Sequence, residues 1–131
     1  MIFKDLKQKI KTFIKDELIS LEPWIVNSEW SEKLPKLNEL RDKVKDMGFW
    51  LPQVSKEYGG LGLTLEQHGE VSEMLGASPY GFYVFNCQAP DAGNMEVLIE
   101  TGTDEQKQKY LYPLLEGKIR SCFAMTEPNY A

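Results

Sequence analysis

Few side chains in this sequence could do chemistry of their own. His68 is the only histidine, and it stands beside Glu66 and Gln67 with no sequence-local nucleophile for which it could act as a general base. The cysteines, Cys87 and Cys122, form neither a CxxC pair nor a His/Cys cluster, so the expectation is two reduced, packed thiols and no zinc site or disulfide scaffold. Glu100, Asp104 and Glu105 read as the solvated end and start of adjoining helices. No P-loop, GxGxxG or GxSxG occurs. The residues therefore assign no catalytic group and no metal ligand, and Thr126-Glu127-Pro128 at the carboxyl end reads by itself as a strand terminus and turn.

The elements that would position these groups are mostly helical. Phe3, Leu6, Ile10, Phe13, Ile14 and Leu18 recur at steps of three and four with charges between them, the pattern of a helix with one buried stripe, which Pro23 should stop. Pro35 is expected at the first position of a second helix whose inner side is Leu37, Leu40, Val44 and Met47, ending at Gly48. The stretch FWLPQVSKEYGGLGL then excludes a regular element through its proline and glycines, while Phe49, Trp50, Leu51 and Val54 still call for burial; it predicts a long loop pinned to the core.

Thr64 with Gln67, and Thr103 with Gln106, have capping-box spacing. They predict helices from about Leu65 to Leu75 and from Thr103 through Tyr110 and Leu111 toward Gly117. Between them Phe82, Phe85, Ala89 and Ala92 should share a helical face that Pro90 breaks, with Asp91 capping a fresh helix through Met95, Leu98 and Ile99. From Ile119 to Met125 the rhythm turns twofold, as in a strand, although the sequence offers no second strand to complete a ladder. The fold class expected is all-α, with one orphan β-strand at the end.

With 131 residues, 42% of them hydrophobic, the chain can bury one core. A net charge of −5 disfavours nucleic acid and anionic membrane surfaces as partners. The amphipathic amino end is unlike a secretion signal, and no apolar run approaches the roughly 20 residues of a membrane span. The expectation is a soluble, intracellular protein: cytoplasmic if bacterial, mitochondrial or peroxisomal if eukaryotic.

KEYGGLGLT, FNCQAPDAGNMEVL and GTDEQKQKYLYPLLEGKIRSCFAMTEP, in that order, resemble the amino-terminal part of acyl-CoA dehydrogenases, and most closely the branch that includes the long multidomain animal members. The resemblance implies the N-terminal helical domain of that family, of five or six helices, over residues 1–117. Residues 118–131 would begin the FAD-binding middle β domain, with the chain cut off there. It further implies FAD as cofactor, a fatty acyl-CoA substrate dehydrogenated between its α and β carbons, electron-transfer flavoprotein as partner, and a homo-oligomer at full length. By the same resemblance Phe123, Met125 and Thr126 are candidate flavin contacts, and Phe85, Asn86, Ala89, Pro90 and Gly93 would line the acyl tail. Asn129-Tyr130 departs from the acid and small aliphatic residue of the family pattern. The catalytic glutamate of the family lies in its carboxy-terminal part, so this chain by itself is expected to be inactive. The competing expectation is a stand-alone helical module that binds acyl-CoA or a protein partner without redox chemistry.

Overall fold

The computed structural model describes residues 2–130 and divides the chain into two compact units, Met1–Cys87 and Gln88–Ala131. In the first unit, α1 (Phe3–Phe13) continues through a π turn, Ile14–Leu18, and a 3-10 turn, Ile19–Leu21, into α2 (Glu22–Asn27). Pro23 thus does not stop the helical path as expected. It occupies the first turn of α2, where backbone N–H groups have no intrahelical partner and its missing donor costs little.

Helix α3 (Trp30–Asp46) starts a turn earlier than Pro35, which lies inside it. The Glu32 carboxylate accepts the Glu29 backbone N–H at 3.0 Å, so an acid rather than a proline sets the start. Leu37, Leu40 and Val44 are fully buried as their spacing predicts, but Met47 is 41% exposed. The helix has ended at Asp46, and Gly48 turns the chain away with φ +72°.

The long loop is pinned to the core as expected, with Phe49, Leu51 and Val54 buried, but it holds one short regular element, a 3-10 turn over Lys56–Tyr58. The Leu51 N–H reaches the Phe85 carbonyl at 3.2 Å, and the Gly62 N–H reaches Val54 O at 2.9 Å. Gly60 sits so close to Val54 that a Cβ would come within 2.1 Å of the Val54 carbonyl oxygen. Trp50, which the sequence also calls inward, is only half-buried, with Arg41 and Lys45 lying over its ring at 4.8 and 4.6 Å.

Thr64 and Gln67 cap α4 (Leu65–Leu75) reciprocally, at 3.1 and 3.2 Å. Helix α5 (Gly81–Val84) is a single turn. The expected common face of Phe82, Phe85, Ala89 and Ala92 does not form, because the helix ends at Val84, well before Pro90. Asn86 is left-handed at φ +56°, a conformation asparagine tolerates better than most residues. Leu6, Ile10, Phe13, Ile14 and Leu18 from the amino-terminal stripe meet Leu37, Leu40, Val44, Val71, Leu75 and Phe85 in one apolar cluster. Each such side chain contributes about 1.5–3 kcal/mol through loss of water contact.

The second unit holds α6 (Asp91–Thr101) and α7 (Asp104–Gln106), followed by a π turn, Lys107–Leu111, and α8 (Tyr112–Leu115). Thr103 and Gln106 cap α7 at 2.9 and 3.3 Å as their spacing predicts. Met95, Leu111, Leu114 and Leu115 are buried, and Gly117, at φ +73°, ends the helical path. Beyond Arg120 no ladder forms among the described residues, and the alternating segment leads only to an isolated bridge between Glu127 and Tyr130. A twofold pattern specifies a strand only when a second strand takes its backbone groups.

Candidate functional site

In the second unit, Asp91 is the first residue of α6 rather than its cap, a position held by Pro90. Its carboxylate serves other groups instead. It is 0% exposed and accepts four hydrogen bonds: from Gln88 Nε2 at 2.5 Å, Arg120 Nε at 2.6 Å, the Ser121 N–H at 2.8 Å and the Ser121 hydroxyl at 2.5 Å. One turn along α6, Asn94 Nδ2 donates to Ser121 Oγ at 2.9 Å and to the Cys122 carbonyl at 3.3 Å. The amino-terminal turn of α6 therefore grips the chain where it leaves the helices.

Burial raises the Asp91 pKa, but the Ser121 hydroxyl and amide and the Arg120 guanidinium outweigh it, and the net result lies below the ordinary 3.8. A carboxyl depressed on folding adds stability above its unfolded pKa and loses that stability as pH falls through the lower, folded value. The urea-midpoint gap between the wild type and Asp91→Asn should therefore stand open near about pH 7 and close below about pH 4. A gap that widens on acidification would contradict this geometry.

Past this grip the chain is presented outward: Phe123 is 70% and Met125 75% exposed, and Thr126 is exposed as well. Two apolar side chains flank a run of backbone that is not in a ladder, with a hydroxyl at its end. That donor set suits one edge of a flat ring carrying carbonyl and imide groups, as a flavin does, while supplying nothing recognisable for a pyrophosphate.

The residues expected along the acyl tail are divided between the units. Phe85 and Asn86 are interior to the first. Phe85 meets the Phe13 ring edge-on at 5.7 Å. Asn86 Oδ1 accepts from Arg41 at 3.3 Å, and the Asn86 carbonyl accepts from Gln53 at 3.2 Å. Ala89, Pro90 and Gly93 belong to the second unit, where Ala89 and Gly93 are exposed and Pro90 is half-buried. Two contributors escaped the sequence reading. Arg41, 4% exposed, also donates to the Tyr83 carbonyl at 2.6 Å and lies over the Trp50 and Tyr83 rings, while Asp91 was expected only as a local cap. Both act across long stretches of chain, which residue spacing does not reveal.

The thiols differ from expectation in one respect. Cys87 is buried, which pushes its thiol up to about 12 and makes it unreactive, whereas Cys122 is exposed rather than packed. Its neighbours in the outward-facing segment leave nothing to cover it. No cluster of His, Cys, Asp and Glu among the described residues could hold a metal ion, and no described helix is long and apolar enough to cross a membrane.

A family model described as acyl-CoA dehydrogenase, N-terminal domain, matches residues 3–118. Acyl-CoA dehydrogenase family member 10 of Mus musculus is 42% identical over 98% of this chain, and family member 11 of Gallus gallus is 43% identical over 94%. The chain spans 13% and 16% of those proteins. A solved structure from Mycobacterium abscessus, described as an acyl-CoA dehydrogenase, superposes with a TM-score of 0.86 at 35% identity, over 98% of this chain and 35% of that one.

Proposed function

Because this chain belongs to the acyl-CoA dehydrogenase N-terminal domain family, we propose that it serves as the helical amino-terminal part of an FAD-dependent enzyme that dehydrogenates fatty acyl-CoA thioesters in β-oxidation. Residues 1–117 form the helical domain in this reading, and residues 118–131 enter the flavin-binding β domain. The observation that carries it is the outward presentation of Phe123, Met125 and Thr126 on a segment whose backbone is gripped at its base by Asp91 and Asn94. When bound, FAD supplies the hydride acceptor.

The chain's own residues have positioning work. Phe123 and Met125 cover apolar ring surface, and the Thr126 hydroxyl and N–H meet the polar edge. Ala89, Pro90 and Gly93 line the acyl tail, where small side chains give room. Phe85 and Asn86, the other residues proposed for the acyl tail, make their packing and hydrogen bonds inside the first unit. Electron-transfer flavoprotein is the proposed acceptor, with self-association at full length.

No residue here can be assigned as the base that removes the α proton, and a carboxylate positioned opposite the flavin is indispensable to that step. The 131-residue chain is therefore expected to bind FAD weakly and to turn over no acyl-CoA. Joined to the β and carboxy-terminal domains of a family member, it should become yellow and reduce an electron acceptor with fatty acyl-CoA. Thr126→Val in that enzyme should weaken FAD binding by about threefold to tenfold, the loss of one buried hydrogen bond. Turnover by the short chain, or a joined enzyme indifferent to Thr126→Val, would refute the assignment.

A further inference from the structure

We propose that Asp91 is a positioning residue for the flavin-contacting segment: its buried carboxylate, through Arg120 and Ser121, fixes the direction in which Phe123, Met125 and Thr126 leave the helices. This rests on the reading above for the identity of what those residues touch, but the grip itself stands on the geometry of the second unit. A group bearing a full negative charge at zero exposure, with four donors converging on it, is expensive to bury unless those donors are fixed. Three of the four belong to Arg120 and Ser121, 29 and 30 residues further along the chain. Asn94 adds a second attachment one residue beyond, at the Cys122 carbonyl.

The next residue, Phe123, is already free of the helices and exposed. A change of direction at Ser121 therefore displaces everything after it, and no ladder among the described residues corrects the error before Thr126. The location at the first turn of α6 also sets the carboxylate against the positive end of a helix, which holds it ionised and in place.

The test has two parts. In the first, amide exchange is measured by NMR on the 131-residue chain as wild type, Asp91→Asn and Arg120→Gln, the last chosen because its side chain is 46% exposed and its loss spares the core. Ser121 N–H exchange should accelerate about tenfold or more in Asp91→Asn and less in Arg120→Gln. The Val71 and Leu75 amides of α4 should stay as slow as in the wild type. Unchanged Ser121 exchange in Asp91→Asn overturns the grip.

In the second part, the chain joined to the β and carboxy-terminal domains of a family member is loaded with FAD. Asp91→Asn and Asp91→Glu should both shift the flavin absorption bands and weaken FAD by about tenfold, since neither restores the length and charge that Ser121 needs. Wild-type flavin spectra in both variants, with Ser121 exchange nonetheless accelerated, overturn the positioning role while leaving the enzyme assignment standing. A joined enzyme that never takes up FAD overturns the assignment and with it the positioning role, and the exchange data still decide the grip.

Discussion

Replacing Gly81 with alanine is expected to destabilise the first unit by about 3 kcal/mol or more, which raises the unfolded-to-folded ratio by roughly a hundredfold. The new Cβ would lie 2.0 Å from the Leu75 carbonyl oxygen and 2.8 Å from its carbon. Both are backbone atoms at the end of α4, so no side-chain rotation can relieve the overlap. Either α5 moves off the end of α4, which pulls Val84 and Phe85 from the apolar cluster, or α4 loses its last turn, which exposes Leu75. Gly69→Ala is the control. It lies inside α4 with no atom within 4 Å of an added Cβ, so alanine's better helix propensity should stabilise by roughly 0.5–1 kcal/mol. Urea unfolding followed by circular dichroism reads both. Similar midpoints for the two variants would show that the Gly81 approach is looser than this structure has it.

Arg41→Leu is expected to cost about 2–4 kcal/mol, although leucine is a good helix former and fits a buried position on α3. The guanidinium donates to the Tyr83 carbonyl at 2.6 Å and to Asn86 Oδ1 at 3.3 Å, and it lies over the Trp50 and Tyr83 rings at 4.8 and 4.6 Å. Leucine keeps the apolar contact with the rings and supplies neither donor, so buried oxygens at the end of α5 lose charge-assisted bonds while their desolvation remains. Arg41→Lys should recover only part of the loss, because a single ammonium cannot reproduce the planar fork that serves two acceptors and a ring face together. Chemical denaturation gives the numbers, and Trp50 emission gives the local readout. A leucine variant as stable as the wild type would show the Arg41 bonds to be balanced by the cost of burying the charge.

The elements most legible in the sequence were those whose cause is local. Thr64 with Gln67 and Thr103 with Gln106 lie three residues apart, and both pairs bond as their spacing predicts. The Glu29–Glu32 start of α3 is equally local but uses a carboxylate where a hydroxyl is the more familiar signal, so Pro35 drew the boundary to itself. The amphipathic stripe of α1 and the π turn after it gave their buried face, since Leu6, Ile10, Phe13, Ile14 and Leu18 all enter the cluster. Asp91 read only as a local cap, and Arg41 carried no signal at all, because what makes Arg41 and Asp91 special lies 42 and 30 residues away. The candidate flavin contacts came from resemblance, and no periodicity could have supplied them. The tie between α6 and Ser121 that gives those contacts their direction was invisible to both kinds of reading.

The bonds around Arg41 also bear on how the chain folds as it is synthesised. Helix α3 is complete once Asp46 has left the ribosome, yet its buried cation gains the Tyr83 carbonyl only after a further stretch of chain has emerged, and Asn86 later still. The loop after Gly48 is in the same position, because the Leu51 N–H waits for Phe85 and the Gln53 amide for Asn86. During that interval a positive charge destined for the interior remains in water, and Phe49 lacks the Val84 and Phe85 members of its apolar cluster. The segment from Tyr83 to Asn86 acts as a late latch, so a pause in translation before it would prolong the exposure of that unfinished surface, and a pause after it would not.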